Sequence, residues 1–283
     1  LEANGYHEFE RGRKYLPGER FYYNNRGKSL IFGTMGTRPI EKGVKILAAH
    51  VDSPRLDLKP NPLFEEAELG FLRPHYYGGI KKYQWPTIPL ALHGDVYKKD
   101  GSVVTITIGE DENDPIFCVT DLLPHLSSKQ RQQTLGEAFK GECLNILIGS
   151  RQFKDDKASE KVKLNLMKIF NEKYTERDFL GAELCVVPAD KARDVGLDRS
   201  MIGAYGHDDR VCAYTEMMAE IDNKNPEWTS VVIFADKEEV GSDGNTGMHS
   251  RFLEYFLADL AEPYGVPVRR VLSNSKCLSA DVS

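Results

Sequence analysis

TSVVIFADKEEVGSDG, residues 229–244, is the stretch from which the fold can be read. Ser230 to Ala235 form a short apolar run rich in Val, Ile and Phe, and Asp236, Lys237, Glu238 and Glu239 follow at once. An apolar run of this length without polar alternation is the pattern of a strand buried on both faces. Charge at its end places reactive side chains in the loop just beyond, where open α/β sheets carry their chemistry. The pattern occurs twice more. KGVKILAAHVDSPRLDLKP, residues 42–60, runs apolar and turns polar at His50, leading into a loop, and KCLSADVS, residues 276–283, closes on Asp281. Between these runs, DDRVCAYTEMMAEI from Asp208 and SRFLEYFLADLAEPYG from Ser250 space their apolar residues by three and four, as amphipathic helices do. Strands alternating with helices imply an α/β fold of three layers.

The middle of the chain has a different texture. LALHGDVYKKDGSVVTITIG, from Leu90, holds two β-type runs joined by Lys-Asp-Gly, a hairpin signal. RQFKDDKASEK, from Arg151, is charged and nearly devoid of large apolar side chains, which predicts a surface or partly disordered loop. A helical stretch, KVKLNLMKIFNEKY, and an apolar run, AELCVVPA, then lead back towards Asp208. These features predict a β-rich insertion at 93–190 within a discontinuous domain formed by 1–92 and 191–283.

Composition narrows the function. With 283 residues, 41% hydrophobic and 28% charged, the chain has the balance of a globular protein with a sizeable core. Its net charge of −6 and scattered Lys and Arg offer no basic stripe, so a nucleic-acid partner is not expected. No apolar run reaches the ~18–20 residues that span a bilayer, and the opening LEANGYHEFERGRKYL reads as an amphipathic helix end, not a secretory signal. The expectation is a cytoplasmic protein without a membrane partner. Cys118, Cys143, Cys185, Cys212 and Cys277 are odd in number, lack a Cys-x-x-Cys pair and mostly sit in apolar runs, which predicts reduced, buried core residues.

The strand ends deliver His50, Asp52, Glu238, Glu239 and Asp281, and a loop-to-helix junction delivers Asp208 and Asp209. One imidazole with six carboxylates at one sheet edge would repel itself unless cations sat among the acids. Such ligands suit zinc, with cobalt or manganese as substitutes, and the lack of a thiolate cluster argues against a structural zinc site. His50 and Asp52 are two apart, so both side chains leave an extended strand on the same side and the carboxylate can accept the second imidazole N–H. His-x-Asp alone also fits a core histidine beside an exposed aspartate, Glu238-Glu239 a solvated pair, and Asp208-Asp209 a helix N-cap. Their common position favours chemistry. A glutamate beside a metal-activated water can act as general base, and one aspartate can bridge two metals ~3.5–4 Å apart.

AHVDSPRLDLKP, HYYGGIKKYQW, GHDDRVCAY, DKEEVGSDGNTGM and LSADVS, in this order, resemble the aspartyl aminopeptidase and aminopeptidase I family of dinuclear zinc peptidases over nearly the whole chain. The resemblance implies a three-layer α/β/α zinc-peptidase catalytic domain with an inserted β-rich dimerisation domain. It also implies two divalent ions, with His50 and Asp281 on the first, Asp208 bridging, Glu239 as a further ligand, Glu238 as general base and Asp52 orienting His50. Asp209 would shape the loop of the bridging ligand, in many relatives through a cis peptide. A further histidine ligand near the family's C-terminus has no counterpart up to Ser283. His125, in DLLPHLSSK, matches a histidine that reaches a neighbouring subunit's site, and relatives assemble as tetrahedral dodecamers of dimers. The implied activity is metal-dependent removal of the N-terminal residue from peptide substrates. A deacylase on the same scaffold, or an assembly protein without catalysis, are the rival readings.

Overall fold

The computed structural model describes residues 1–154, 158–174 and 182–282. The chain forms two compact units, one of residues 1–53 and 206–283, the other of 54–205.

The first unit is built on a six-stranded sheet in the order His7–Glu8, Arg20–Asn25, Ser29–Thr34, Ser230–Ala235, Lys45–His50 and Lys276–Ser279. The three charged-ended runs of the sequence are adjacent and parallel: Lys45–His50 pairs with Ser230–Ala235 on one side and with Lys276–Ser279 on the other. Ala235 stands opposite His50 and Ser279 opposite Ala48, so the three loops that follow leave the same edge of the sheet. Because side chains alternate along a strand, the runs Lys45–His50 and Ser230–Ala235 each feed two cores. Ile46, Ala48, Val231 and Ile233 pack with Phe256, Leu257, Leu260 and Val271 of the helices Phe252–Ala261 and Val268–Asn274. Leu47, Ala49, Val232 and Phe234 pack with Ala213, Met217 and Ile221 of the helix His207–Asp222. Helices cover both faces, which is the three-layer arrangement the alternation predicts.

The second unit holds a seven-stranded antiparallel sheet, ordered Val103–Ile108, Leu90–Tyr97, Ala182–Pro188, Arg55–Glu66, Leu69–Tyr77, Ile146–Gly149 and Cys118–Val119. The expected hairpin joins its first two strands, with Gly101 at φ 84° in the turn. The helix Lys161–Tyr174 lies where the 3.6-residue spacing predicts it. This unit starts earlier and ends later than the expected 93–190. Leu56, Leu58 and Leu63 of the strand Arg55–Glu66 turn into its core, and the strand tolerates Pro60 and Pro62 because the ladder is irregular between Leu58 and Leu63. The strand Arg55–Glu66 was not foreseen beyond the loop after His50. Tyr205 Oη donates to the Pro54 carbonyl at 2.6 Å and ties the unit's two ends together.

Two further expectations change. Residues 1–16 contain a 3-10 turn, Glu2–Asn4, that stops at left-handed Gly5, followed by the strand His7–Glu8 and no amphipathic helix. Tyr6 in one core of the first unit, and Phe9 and Tyr15 in the other, bury this segment. The five cysteines are free, as expected, but none is buried: Cys143 and Cys277 are exposed and the others intermediate. Cys143 closes a surface 3-10 turn and Cys277 lies on an edge strand whose four residues are all exposed. Part of the charged stretch from Arg151 lies outside the described residues, and Arg151–Lys154 has no strand or helix.

Candidate metal centre

The site grows from the shared sheet edge. His50 is the last residue of its strand and is 3% exposed, held between the two neighbouring parallel strands. Its Nδ1–H donates to the main-chain carbonyl of Asp52 at 3.0 Å, with the Asp52 carboxylate Oδ1 at 3.4 Å. The carbonyl, not the carboxylate foreseen from the spacing, is the nearer acceptor. The ring's other nitrogen, Nε2, faces acids: Asp208 Oδ1 at 3.0 Å, Asp281 Oδ1 at 3.5 Å and Glu238 Oε2 at 3.8 Å. Burial alone would lower the His50 pKa, but the charge of Asp52 and the hydrogen bond to Asp208 outweigh it and hold the imidazole above its ordinary value.

Asp208 and Asp209 enter at the start of the helix His207–Asp222. Gly206 precedes them at φ 85°, a left-handed conformation that suits glycine, and the Asp208–Asp209 peptide bond is cis. Neither aspartate has helical backbone angles, so the regular helix starts after them and neither caps it by side chain. The Ser53 hydroxyl donates to the Asp208 carbonyl at 3.2 Å, fastening this junction to the loop after His50. Glu238 and Glu239 lie on a 3-10 turn bounded by Lys237 at φ 70° and Gly241 at φ 91°. Just before it, Asp236 accepts the Thr246 hydroxyl at 2.7 Å and closes the loop on itself.

Two trios result. The ligand atoms of His50, Asp208 and Glu239 all lie within 4.8 Å of one another, and so do those of His50, Asp209 and Asp281. Asp208, Glu238 and Asp281 keep about half of their side-chain surface open to solvent, whereas Asp209 is wholly buried. Neither Asp209 oxygen has a hydrogen bond of ordinary geometry, although the Cys212 thiol faces the carboxylate and is pushed up to about 11, chiefly by that contact. A buried carboxylate left without donors is strongly disfavoured unless a cation neutralises it. The donor set and this stranded charge both fit divalent metal ions. One imidazole with carboxylates is the chemistry of a zinc, cobalt or manganese site.

Every candidate from the strand ends therefore reaches one cluster. Asp209 joins it as well, beyond the loop-shaping part foreseen for it. His125 belongs to the second unit, where it sits exposed on the turn Pro124–Leu126. Sequence reasoning passed over Ser53 and Glu216. Glu216 lies seven residues, two helical turns, after Asp209 and is buried on the inner face of the same helix. Burial, then the charge of Asp209, pushes its carboxyl up to about 7 against a lesser pull from the Ala48 backbone. An acid beside apolar Ala213 and Met217 was the available signal, and spacing alone does not separate it from a solvated position.

The sequence profile described as Aminopeptidase I zinc metalloprotease (M18) matches residues 1–283. The chain belongs to this M18 family. A probable M18 family aminopeptidase 1 of Clostridium acetobutylicum is 52% identical over all of this chain and 63% of its own length, and one of Borrelia garinii is 46% identical over 99% and 63%. The chain thus spans just under two thirds of these relatives. The crystal structure of aminopeptidase I from C. acetobutylicum matches with a TM-score of 0.88 over 95% of this chain and 59% of that one, at 52% identity. The yeast mApe1 dodecamer shares the fold, with a TM-score of 0.70 at 23% identity over 93% of this chain and 60% of that one. The M18 zinc-peptidase fold agrees with the three-layer reading of the sequence.

Proposed function

We propose that the full-length protein is a metal-dependent aminopeptidase that removes the N-terminal residue of peptides. The observation that supports this most is the convergence of three carboxylates on His50 Nε2 at the sheet edge, in a chain of the M18 family. His50 and Asp281 would hold one divalent ion, Glu239 the other, and Asp208 would lie between them; zinc is the ion that the family description names. Bound there, the ions would polarise the scissile carbonyl and make water nucleophilic near neutral pH. Glu238, 3.8 Å from Nε2 yet half open to solvent, accepts the water's proton on its carboxylate and returns it to the leaving amine. Asp52 holds the imidazole tautomer through Nδ1, which leaves the Nε2 lone pair to a metal. Buried Asp209 adds negative charge behind the ligands and favours retention of cations.

Self-association belongs to the same proposal. Leu122, Leu123 and Leu126 of the second unit, sequence neighbours of His125, are each more than half exposed, apolar side chains that suit contact with another copy. On this reading His125 serves a neighbouring subunit, in assemblies of dimers up to the dodecamer known for yeast mApe1.

Metal content and hydrolysis of a panel of aminoacyl anilides and acylated amino acids, with and without chelator, test the proposal on the full-length protein. Two metals per chain and chelator-sensitive release from the anilides are expected. Hydrolysis of acylated amino acids alone would point to a deacylase. A chain that takes up no zinc, cobalt or manganese and hydrolyses nothing would be an assembly protein.

A further inference from the structure

We propose that Asp52 is the positioning residue of the Glu238–Glu239 turn: its carboxylate grips the two backbone amides from which both glutamates project, and its main-chain carbonyl orients the imidazole. The inference rests on the aminopeptidase reading for its catalytic consequence, though not for its geometry. Asp52 Oδ1 accepts the Glu238 N–H at 3.2 Å and Oδ2 accepts the Glu239 N–H at 3.3 Å. Its side chain is 2% exposed, so water does not compete for these bonds. The amides open a 3-10 turn, where N–H groups lack partners within the turn, and an anion there is favourable.

The turn needs such a hold. Lys237 at φ 70° and Ser242 at φ 60° take left-handed conformations that non-glycine residues avoid, so the local chain does not favour this path unaided. Asp236 and Thr246 close the loop from its base, the Ser242 N–H donates to the Lys237 carbonyl, and Asp52 accepts the Glu238 and Glu239 amides. The imidazole depends less on the carboxylate, because Nδ1 is nearer the Asp52 carbonyl, at 3.0 Å, than Oδ1, at 3.4 Å. Removing the carboxylate should therefore misplace the base more than the histidine. Displacing a reacting group by about 1 Å can lower turnover about 100-fold, whereas losing a carboxylate that orients a metal-bound histidine lowers metal affinity about 10- to 100-fold. The two roles leave different signatures.

The test uses full-length protein carrying Asp52→Ala, Asp52→Asn, Glu238→Gln, and Asp52→Asn combined with Glu238→Gln. Amide hydrogen exchange is measured first, without metal. Protected Glu238 and Glu239 amides in the wild type, exchanging at least tenfold faster in Asp52→Ala while the Ser230–Ala235 amides keep their rates, are expected. With zinc, Asp52→Asn should lower kcat about 100-fold, change zinc affinity less than about threefold, and slow the Glu238→Gln protein no further. Free exchange of both amides in the folded wild type overturns the grip without recourse to any variant. So does a tenfold loss of zinc affinity in Asp52→Asn with amide exchange unchanged, which would return the residue to a role through His50 alone. Should Glu238→Gln keep wild-type turnover with zinc bound, the aminopeptidase reading falls, and the exchange rates still decide the grip.

Discussion

The two faces of the six-stranded sheet are coated differently. Against one face, Phe9, Tyr15, Phe21 and Phe256 pack ring to ring, with centroids 4.8–6.2 Å apart, over Ile46, Val231 and Ile233. Against the other, the helix His207–Asp222 buries Asp209, Glu216 and Glu220 beside Ala213, and Glu220 accepts the Thr34 hydroxyl at 2.6 Å. The same strands feed both layers, since consecutive residues point to opposite faces. Among the described residues, the first layer buries apolar and aromatic side chains and supplies cohesion. The other keeps acids where burial penalises them, next to the edge that carries the candidate metal centre. Strained or destabilised groups collect at functional sites and are tolerated because the surroundings hold them.

If this division holds, the largest separable effect belongs to the sheet edge. Glu238→Gln should lower turnover by about 10²- to 10⁴-fold, the usual contribution of a general base, while metal content and unfolding midpoint stay near wild type. Anilide turnover, metal analysis and urea unfolding on one preparation would check this. Loss of stability in parallel with turnover would break the comparison, because it would make the edge a structural element too.

The aromatic layer should show the converse. Phe256 is 2% exposed and touches Phe9, Phe21 and Tyr23, so Phe256→Ala leaves a cavity and should destabilise the protein by about 3–5 kcal/mol. Zinc affinity of the fraction that remains folded should be unchanged. Urea unfolding and zinc titration read the two quantities separately, and a large fall in zinc affinity would mean that the two layers are coupled through the strands.

How much of this division the sequence disclosed depends on the residues concerned. The apolar runs before His50, Asp236 and Asp281 are continuous in sequence, so the strands and the edge to which their charges go were legible from pattern alone. The alignment of those edges was not, because the pairing of Ala235 with His50 joins residues 185 positions apart. Asp52's contacts with the Glu238 and Glu239 amides follow from that register and were therefore hidden. The strand Arg55–Glu66, which carries two prolines, was not foreseen, and with it the start of the second unit. The opening residues misled for the opposite reason: apolar residues spaced as on a helix, interrupted by one left-handed glycine, became a turn and a strand.

Glu216 gives the smallest effect and the finest measure of what the acidic layer imposes. Its carboxyl is pushed from an ordinary 4.5 up to about 7, by burial first and by the charge of Asp209 second. The folded state therefore keeps this proton at pH values where the unfolded chain has released it, so stability falls as pH rises between about 4.5 and 7. The loss attributable to this one group is about 3 kcal/mol and is complete above its folded pKa. Glu216→Gln cannot titrate, and it should remove that part of the slope: relative to wild type the variant gains stability at pH 8 that it does not show at pH 4.5. Urea unfolding of metal-free protein across this window measures the difference. Divalent ions near Asp209 would lower the repulsion Glu216 experiences, so the slope should flatten when zinc is added to the wild type and change little in the variant. A wild-type slope unaffected by both zinc and the substitution would show that the buried acids and the metal centre are energetically separate, and that only the sheet edge, not the layer behind it, answers to the metal.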